Sequence, residues 1–398
     1  MTFKLDLNYN FVGPKALFDP NYIPPNLLHR KKEQKSLLSI LNDAISDEFS
    51  LNILYQGING IGKKAIANKV LKDLSEQNKA DTNIYKICVD CKEKDFEELI
   101  FSILTELLNI GKFNLDYDLL LNSNLSHLWN ILKILCKRID SNLFFVFTNV
   151  EYMKPEIFKK FLHIGKESKI TSIYTINKMM HPTTINLLSE FDLKKKLNYF
   201  NYKELYNILK QRISLAISHE VDDEVINYIS DLVCEQYVPV PGKGIEILRD
   251  LYPLLKNQQT LVNRDLIELC QNHFDQMQVH DEFSLLNYIS EEDFLHIIFL
   301  DNLTNFFISK MNYYISLKEL EEIYHISCES LEYETNNKEF QNLVKDLINT
   351  GIIRVSKKTL RGKRVHSLDD KFDSFTSYFM VISPNQLKAI IDTLFNNY

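Results

Sequence analysis

The chain has 398 residues, of which 45% are hydrophobic and 25% are charged, and its formal net charge is −7. These values indicate a globular protein of two or three domains, and they exclude a largely disordered chain and a uniformly basic nucleic-acid binder. No apolar run is long enough to span a membrane, and the first ten residues lack the apolar segment of a signal peptide. We therefore expect a cytoplasmic protein, associated with the nucleoid if it binds DNA, with no membrane partner.

The cysteines give no sign of a disulfide framework or a metal centre. There are six in a long chain, which favours reduced thiols. Cys88 and Cys91 form a C-x-x-C, but no second pair follows at zinc spacing, so buried strand cysteines are the simpler interpretation. No metal site is predicted.

The first signal along the chain is a proline-rich entry, ALFDPNYIPPNLLHRKKE, from Ala16. Its prolines enforce an extended segment, and a helix opens after His29 and Arg30. Such a segment ahead of a phosphate-binding loop often lines the pocket for a nucleotide base, although it could also be a simple N-terminal strap. The residues predicted to lie near the base are Tyr22, Ile23, His29 and Arg30.

A phosphate-binding loop is predicted next, because an apolar strand (Ile53 to Tyr55) is followed by glycines and then by a helix. Glycines let backbone N–H groups surround an anion, the helix N-terminus attracts it, and Lys63 would reach the terminal phosphates. The motif G-x-x-x-x-G-K-[ST] fails at its last place, where Lys64 replaces the hydroxyl that holds Mg²⁺. The predicted nucleotide-binding residues of the loop are Gly57, Asn59, Gly60, Ile61, Gly62, Lys63, Lys64 and Ala65.

Further apolar runs alternate with helical patterns up to about residue 200. Strands are predicted at Ile84 to Val89, at Leu143 to Phe147, at Ile170 to Ile176 and near 194–199. The run NLFFVFTN is continuously apolar, as a buried parallel strand requires. This alternation predicts an α/β parallel sheet with helices.

From Tyr202 the pattern becomes helical, with segments at 203–218, 222–236 and 243–255 and a connecting helix at about 263–278. The tail begins near residue 283 and is predicted to contain three helices, at roughly 291–310, 316–332 and 337–349. The third starts at a capping box, Asn336 with Glu339, and stops at Gly351. A hairpin with a basic tip follows, IIRVS-KKTLRGK-RVHSL, which makes the tail typical of a winged helix-turn-helix domain.

DNA contact is predicted for this tail, with a solvated hairpin tip as the alternative. From Ile352 to Leu368 there are six Lys or Arg residues and no Asp or Glu. The helix from Asn336 would enter the major groove and the basic hairpin would contact phosphates or the minor groove. The predicted DNA-binding residues are Asn336, Asn337, Lys338, Gln341, Asn342, Lys345, Arg354, Lys357, Lys358, Arg361, Lys363 and Arg364.

The entry segment, the phosphate loop, the helical stretch VPGKGIEILRDL and the winged tail occur in an order that resembles one family. The chain resembles archaeal-type replication initiators of the origin-recognition/cell-division-cycle (ORC/CDC) AAA+ family. The resemblance implies an AAA+ P-loop core (1–200), a helical lid with its linker (201–280) and a winged helix (281–398). It also implies ATP or ADP bound between core and lid, double-stranded DNA as a partner, and the MCM helicase or a second initiator paralogue as protein partners.

By the same resemblance Asn177 is the polar sensor at the end of the fourth strand, and Tyr202 and Ile208 of the lid would close over the base. Several catalytic positions depart from the family pattern. Thr148 and Asn149 stand where the two Walker B acids should be, Ile245 replaces the lid arginine, and 187–191 contains no arginine finger. The DNA-gripping insertion expected near 110–125 is acidic. Glu151 lies near these positions, but the geometry of a strand end argues against it as a substitute acid.

Loss of these groups together predicts degenerate ATPase motifs, no catalytic residues, poor or absent hydrolysis, and Mg²⁺ bound weakly or not at all. Four interpretations follow. The first is an initiator paralogue with an inactive site, and the second is a slow but active ATPase. The third is a transcription regulator on the same architecture, and the fourth is an ATPase-dead partner subunit that acts only through protein contacts. The sequence does not separate the first from the third.

Overall fold

The structure is a computed structural model that describes residues 11–77, 84–111, 120–138, 142–177, 186–256, 263–274, 289, 293–310, 312–357 and 376–397. These residues form two compact units. The first contains the described residues from Ile23 to Tyr199, and the second those before Ile23 and those from Phe200 onwards. None of the described helices has the length and apolar character needed to cross a membrane.

The first unit is built on a five-stranded parallel sheet, which confirms the predicted α/β core. The strands are β1 (Asn52–Gln56), β2 (Ile84–Asp90), β3 (Asn142–Thr148), β4 (Thr171–Ile176) and β5 (Leu193–Lys196). Their order is β2-β3-β4-β1-β5, and every pairing is parallel. The strand that leads into the phosphate loop therefore has a neighbour on each side, β4 and β5. The carboxyl ends of all five strands lie at one edge of the sheet.

Helices pack around this sheet because each has one apolar face. They are α1 (Lys31–Ser46), α2 (Lys63–Gln77), α3 (Phe96–Gly111), α4 (Leu125–Arg138) and α5 (Pro155–Glu167), with 3₁₀ turns at Val150–Tyr152 and Asn186–Glu190. The centre of the core is aromatic: the rings of Phe147 on β3 and Tyr174 on β4 stack with centroids 5.1 Å apart. Burial of rings of this size contributes strongly to a rigid sheet.

The second unit begins with helices α6 (Tyr202–Ala216), α7 (Asp223–Gln236), α8 (Pro241–Lys256) and α9 (Asn263–Asn272), which fit the predicted lid. Their apolar core also contains Ala16 and Leu17 from a one-turn helix, Lys15–Phe18. The Arg212 guanidinium donates to the Ala16 carbonyl oxygen at 3.1 Å. The N-terminal segment that we assigned to the sheet domain, within 1–200, therefore packs with the helices that follow Phe200, because its apolar side chains are buried among them.

The remaining elements are α10 (Phe294–Lys310), β6 (Ile315–Ser316), α11 (Leu317–Ser330), α12 (Asn337–Thr350), β7 (Ile353–Val355), β8 (Ser377–Met380) and α13 (Pro384–Asn397). The three strands form an antiparallel sheet in the order β6-β8-β7. Helices with a small antiparallel sheet are consistent with the predicted winged helix. The predicted return strand, RVHSL, lies outside the described residues, and the described partner of β7 is β8.

Helix α12 matches the predicted bounds and buried face, but the cap differs from the predicted capping box, because Asn336 accepts from the N–H of Lys338 and not from that of Glu339. Asn336 caps its first turn by accepting a hydrogen bond from the Lys338 N–H at 3.0 Å, and Gly351 ends it with φ of 82°. That left-handed conformation is one that glycine adopts without steric cost. The predicted apolar face is buried: Phe340, Leu343, Val344, Leu347 and Ile348.

A buried carboxylate joins the α6–α9 part of the second unit to its C-terminal part. Asp231 of α7 is completely buried and accepts hydrogen bonds from the hydroxyls of Tyr314 (2.8 Å) and Ser356 (2.6 Å) and from the Lys357 N–H (2.9 Å). Burial raises the pKa of this carboxyl to about 6 from 3.8, while the three hydrogen bonds act in the opposite direction. Burial of the ionised Asp231 carboxylate therefore costs desolvation free energy, which the three hydrogen bonds offset only in part.

This cost predicts a pH dependence of stability. The folded-state pKa lies above the unfolded value, so folding takes up a proton between about pH 4 and pH 6, and stability falls as the pH rises through that window. Relative to Asp231→Asn, which cannot ionise, the wild type should lose about 2 kcal/mol of unfolding free energy between pH 4 and pH 7. Guanidinium denaturation followed by circular dichroism measures the difference. Asp346→Asn, on the exposed face of α12, is the control, and a pH-independent difference for Asp231→Asn would contradict the prediction.

Candidate functional site

The predicted phosphate loop has the backbone that anion binding requires. Strand β1 ends at Gln56, the loop covers 57–62, and α2 begins at Lys63. Gly60 and Gly62 have φ of 79° and 101°, conformations that residues with a side chain rarely adopt. A Cβ at Gly62 would meet no atom within 4 Å, so the backbone conformation, not crowding, requires glycine there. The loop delivers the chain directly into the N-terminus of α2, where backbone N–H groups attract an anion.

Lys63 is the buried cation of this loop. Its side chain is 5% exposed, and its ammonium donates to the carbonyl oxygens of Gly57 at 2.7 Å and Ile58 at 2.9 Å. Burial lowers the pKa of Lys63 from 10.5 to about 8, and the nearby Glu151 carboxylate acts in the opposite direction. A phosphate at this position would stabilise the charged form that burial disfavours.

The entry segment contributes Arg30 to the loop as a structural partner. Its guanidinium is buried and donates to the carbonyl oxygens of Asn198 at 2.8 Å and Ile61 at 3.4 Å. Arg30 therefore connects the phosphate loop to the segment after β5. Its predicted neighbours Ile23 and His29 lie in the same unit. Ile23 is half-buried, and His29 is exposed with φ of 58° just before α1.

The side chains of the two residues at the Walker B positions, Thr148 and Asn149, both form hydrogen bonds within the protein. The Thr148 hydroxyl is buried and donates to the Val89 carbonyl oxygen of the adjacent strand at 3.4 Å. Asn149 adopts a left-handed conformation with φ of 58°, which asparagine tolerates better than most residues. Its amide nitrogen donates to a carboxylate oxygen of Asp90, at the end of β2, at 2.7 Å.

Glu151 makes contacts at this site that the sequence interpretation did not predict. The left-handed Asn149 starts the 3₁₀ turn Val150–Tyr152, and this turn brings the Glu151 carboxylate to Asn177 at the end of β4. One carboxylate oxygen accepts from the Asn177 side-chain amide at 2.8 Å, and the other accepts from the Asn177 backbone N–H at 3.3 Å. The same side-chain amide also donates to the Asn149 side-chain oxygen. The structure thus places Glu151 near the site, as expected, and adds its contacts with Asn177; whether it can act as a substitute acid stays a prediction.

The other four predicted nucleotide contacts belong to the second unit. Tyr22 lies against Arg212, with the guanidinium 5.3 Å from the ring centroid. The Tyr202 hydroxyl donates to the Asn227 side-chain oxygen at 2.8 Å. Ile208 and Ile245 are half-buried, and Ile245 packs against the core of the α6–α9 helices. Their role toward a nucleotide stays a prediction.

The described residues contain no group of three or more His, Cys, Asp or Glu side chains placed to hold a metal ion. The phosphate loop also does not fit Mg²⁺ in the usual way. Lys64 supplies a cation instead of a hydroxyl, and the Thr148 hydroxyl is directed to a backbone carbonyl. Backbone N–H groups and Lys63 remain as the groups that could hold phosphates.

Sequence comparison finds relatives of one kind, although no family model matches the chain. An ORC1-type DNA replication protein 1 from Sulfurisphaera tokodaii is 25% identical over 253 residues, which cover 59% of this chain and 60% of that protein. The chain thus matches less than two thirds of that relative's length. An ORC1-type DNA replication protein from Thermoplasma volcanium is 21% identical over 399 residues, or 92% and 90% of the two chains.

Solved structures show the same fold over nearly the whole chain. Cdc6p from Pyrobaculum aerophilum matches with a TM-score of 0.71 at 17% identity, covering 98% of this chain and 99% of that one. The Aeropyrum pernix ORC1 protein in complex with DNA has a TM-score of 0.55 at 16% identity, covering 96% of each chain. The Aeropyrum pernix ORC2 protein, solved as ADPNP-ADP complexes, has a TM-score of 0.52 at 16% identity, covering 97% and 98%.

The sequence relatives and the shared fold agree. The chain is similar in sequence to archaeal ORC1-type DNA replication proteins and shares the fold of the archaeal ORC/Cdc6 AAA+ proteins.

The exposed side of α12 is the candidate nucleic-acid interface. Asn337, Lys338, Gln341 and Asn342 are exposed on the side opposite the buried face. Lys345 is half-buried, and Asn336 uses its side-chain oxygen to cap the helix. The four exposed side chains share one surface with donors and acceptors suited to bases or phosphates.

Two of the predicted basic contacts have partners within the protein. The Arg354 guanidinium donates to the Ile348 carbonyl oxygen at 3.3 Å, near the end of α12. The Lys357 ammonium lies 2.9 Å from a carboxylate oxygen of Glu235 on α7. Lys358, Arg361, Lys363 and Arg364 lie outside the described residues, as does most of the acidic stretch expected near 110–125.

Proposed function

We propose that this chain is a DNA-binding replication-initiator protein of the ORC/Cdc6 family, and that its phosphate loop binds ATP or ADP and hydrolyses it poorly or not at all. It would act in origin recognition, in helicase loading or in the regulation of these steps. The observation that carries the proposal is a contrast within one site. The phosphate loop keeps its glycine conformations and its buried Lys63, while the groups that would bind Mg²⁺ and activate water are replaced.

Nucleotide binding is supported by the loop itself. Glycines in left-handed conformations, the N-terminus of α2 and the Lys63 ammonium together match the needs of a polyphosphate. The related ORC2 protein of Aeropyrum pernix, which shares the fold, is described as ADPNP-ADP complexes. A polyphosphate would replace the Gly57 and Ile58 carbonyl oxygens as the partner of the Lys63 ammonium.

Poor hydrolysis follows from the residues that stand where the family pattern places catalytic groups. Phosphoryl transfer to water depends on Mg²⁺ and on a carboxylate or amide that orients the water. Lys64 cannot ligate Mg²⁺, and the Thr148 hydroxyl bonds to a neighbouring strand. The Glu151 carboxylate is present but is hydrogen-bonded to Asn177. Ile245 cannot provide the positive charge of the arginine that the family pattern places there.

DNA binding is supported by the exposed polar face of α12 and by the basic run from Arg354 to Arg364. The related ORC1 protein of Aeropyrum pernix is described in complex with DNA. Because the chain is acidic overall, this local basic surface would provide most of the attraction to phosphates. The MCM helicase and a second initiator paralogue are the proposed protein partners.

Lys63→Ala should weaken binding of both ATP and ADP by about tenfold to a hundredfold, because it removes a charge-assisted contact to phosphate. Mg²⁺ should change either affinity little, since its ligands are missing. Equilibrium dialysis with and without Mg²⁺ measures both effects. Lys72→Ala, on the exposed side of α2, is the matched control. Equal binding by Lys63→Ala and the parent would show that the loop is only structural.

Arg361→Ala combined with Arg364→Ala should weaken binding to duplex DNA and flatten its salt dependence by about one unit of slope for each phosphate that is no longer neutralised. Lys338→Ala on α12 should weaken binding further. Affinity measured at several salt concentrations provides the slopes. Lys318→Ala, an exposed lysine on α11, is the control. Unchanged affinity and slope in the triple variant would favour a protein that acts only through protein contacts.

Footprinting of the full chain on genomic DNA tests the biological role. Protection of repeats at origins supports the proposal. Protection confined to promoters would favour a transcription regulator, and no protection at low salt would contradict DNA binding.

A further inference from the structure

The Glu151 carboxylate occupies the hydrogen-bond donors of Asn177. It accepts from both the side-chain amide and the backbone N–H of that residue, at 2.8 and 3.3 Å. The second hydrogen of the amide is directed to Asn149. The polar group at the end of β4 therefore already binds an anion that belongs to the protein.

This carboxylate lies beside the phosphate loop. In the sheet register Gln56 pairs with Ile176, and the Gly57 N–H donates to the Ile176 carbonyl oxygen at 3.2 Å. Asn177 is thus adjacent to the first glycine of the loop, whose own carbonyl oxygen holds the Lys63 ammonium at 2.7 Å. The negative charge of Glu151 stabilises the protonated form of Lys63 and so acts to raise the pKa of that ammonium.

A fixed negative charge at this position would repel a nucleoside triphosphate more than a diphosphate. A polyphosphate that enters the loop places its terminal phosphate at Lys63 and at the carboxyl ends of β1 and β4. A third phosphate brings additional negative charge to that end, where it meets a fixed carboxylate and a donor group already in use. Mg²⁺ would normally offset the repulsion, but Lys64 and Thr148 cannot hold it.

We propose that Glu151 is a specificity-determining residue, and that its carboxylate makes the site take a nucleoside diphosphate in preference to a triphosphate. The inference rests on the proposed nucleotide binding and deepens it. Asn177 positions the carboxylate, and Asn149 fixes the turn that carries it. The state of this site is then set by the number of phosphates bound, without a hydrolytic step.

The test compares ADP and ATP binding to the full chain by calorimetric titration without divalent cation. The parent should bind ADP about tenfold more tightly than ATP, as expected for one unfavourable charge contact. Glu151→Gln should tighten ATP binding and leave ADP binding nearly unchanged, so that the ratio falls to about threefold or less. Glu156→Gln removes an exposed charge five residues away on α5 and should keep the parental ratio.

The outcomes separate this inference from the proposed function. If the parent binds neither nucleotide, nucleotide binding fails and the inference with it. If the parent binds ATP as tightly as ADP, or if Glu151→Gln keeps the parental ratio, the inference alone is overturned. If Glu151→Gln and Glu151→Ala lose ADP as well while their circular dichroism is unchanged, Glu151 supports the loop and does not select the ligand.

Discussion

Burial of the Lys63 ammonium under the carbonyl oxygens of Gly57 and Ile58 is the interaction on which the rest of the site depends. A cation held at this depth must be compensated, and two backbone carbonyls and a nearby carboxylate do so. The arrangement requires a loop that turns back over the first turn of α2, which the conformations of Gly60 and Gly62 permit. The parallel sheet then holds that loop beside the ends of its neighbouring strands.

The ends of β2, β3 and β4 are connected by polar side chains in place of a metal site. Asp90 accepts from Asn149, Asn149 accepts from Asn177, and Asn177 donates to Glu151. Each of these hydrogen bonds joins residues that lie at or just after the ends of two different strands. A network whose members all have partners fixes side-chain positions more firmly than isolated polar groups would. These hydrogen bonds therefore order the side chains at this edge of the sheet.

Much of the fold could be predicted because its signals are local. Continuous apolar runs marked the strands, and the spacing of Phe340, Leu343 and Leu347 marked the buried face of α12. The contacts of Glu151 with Asn177 could not be predicted, since they depend on the left-handed conformation of a single residue, Asn149. An Asn directly after a buried strand is the only sequence signal that could have suggested such a turn.

Contacts between segments that are distant in the chain also could not be predicted from the sequence. Nothing local indicates that Ala16 and Leu17 pack with the helices after Phe200. Likewise, the spacing of basic residues could not show that Lys357 has a carboxylate partner on α7. Hydrophobic periodicity shows which face of an element is buried, but it does not identify the element that covers that face.

Single-turnover hydrolysis of radiolabelled ATP with Mg²⁺ present tests the central claim most directly, namely that the site binds nucleotide without cleaving it. The parent at saturating protein concentration should release phosphate no faster than Lys63→Ala. A rate clearly above that control, and abolished in Glu151→Gln, would contradict the account. It would show that the Glu151 carboxylate activates water.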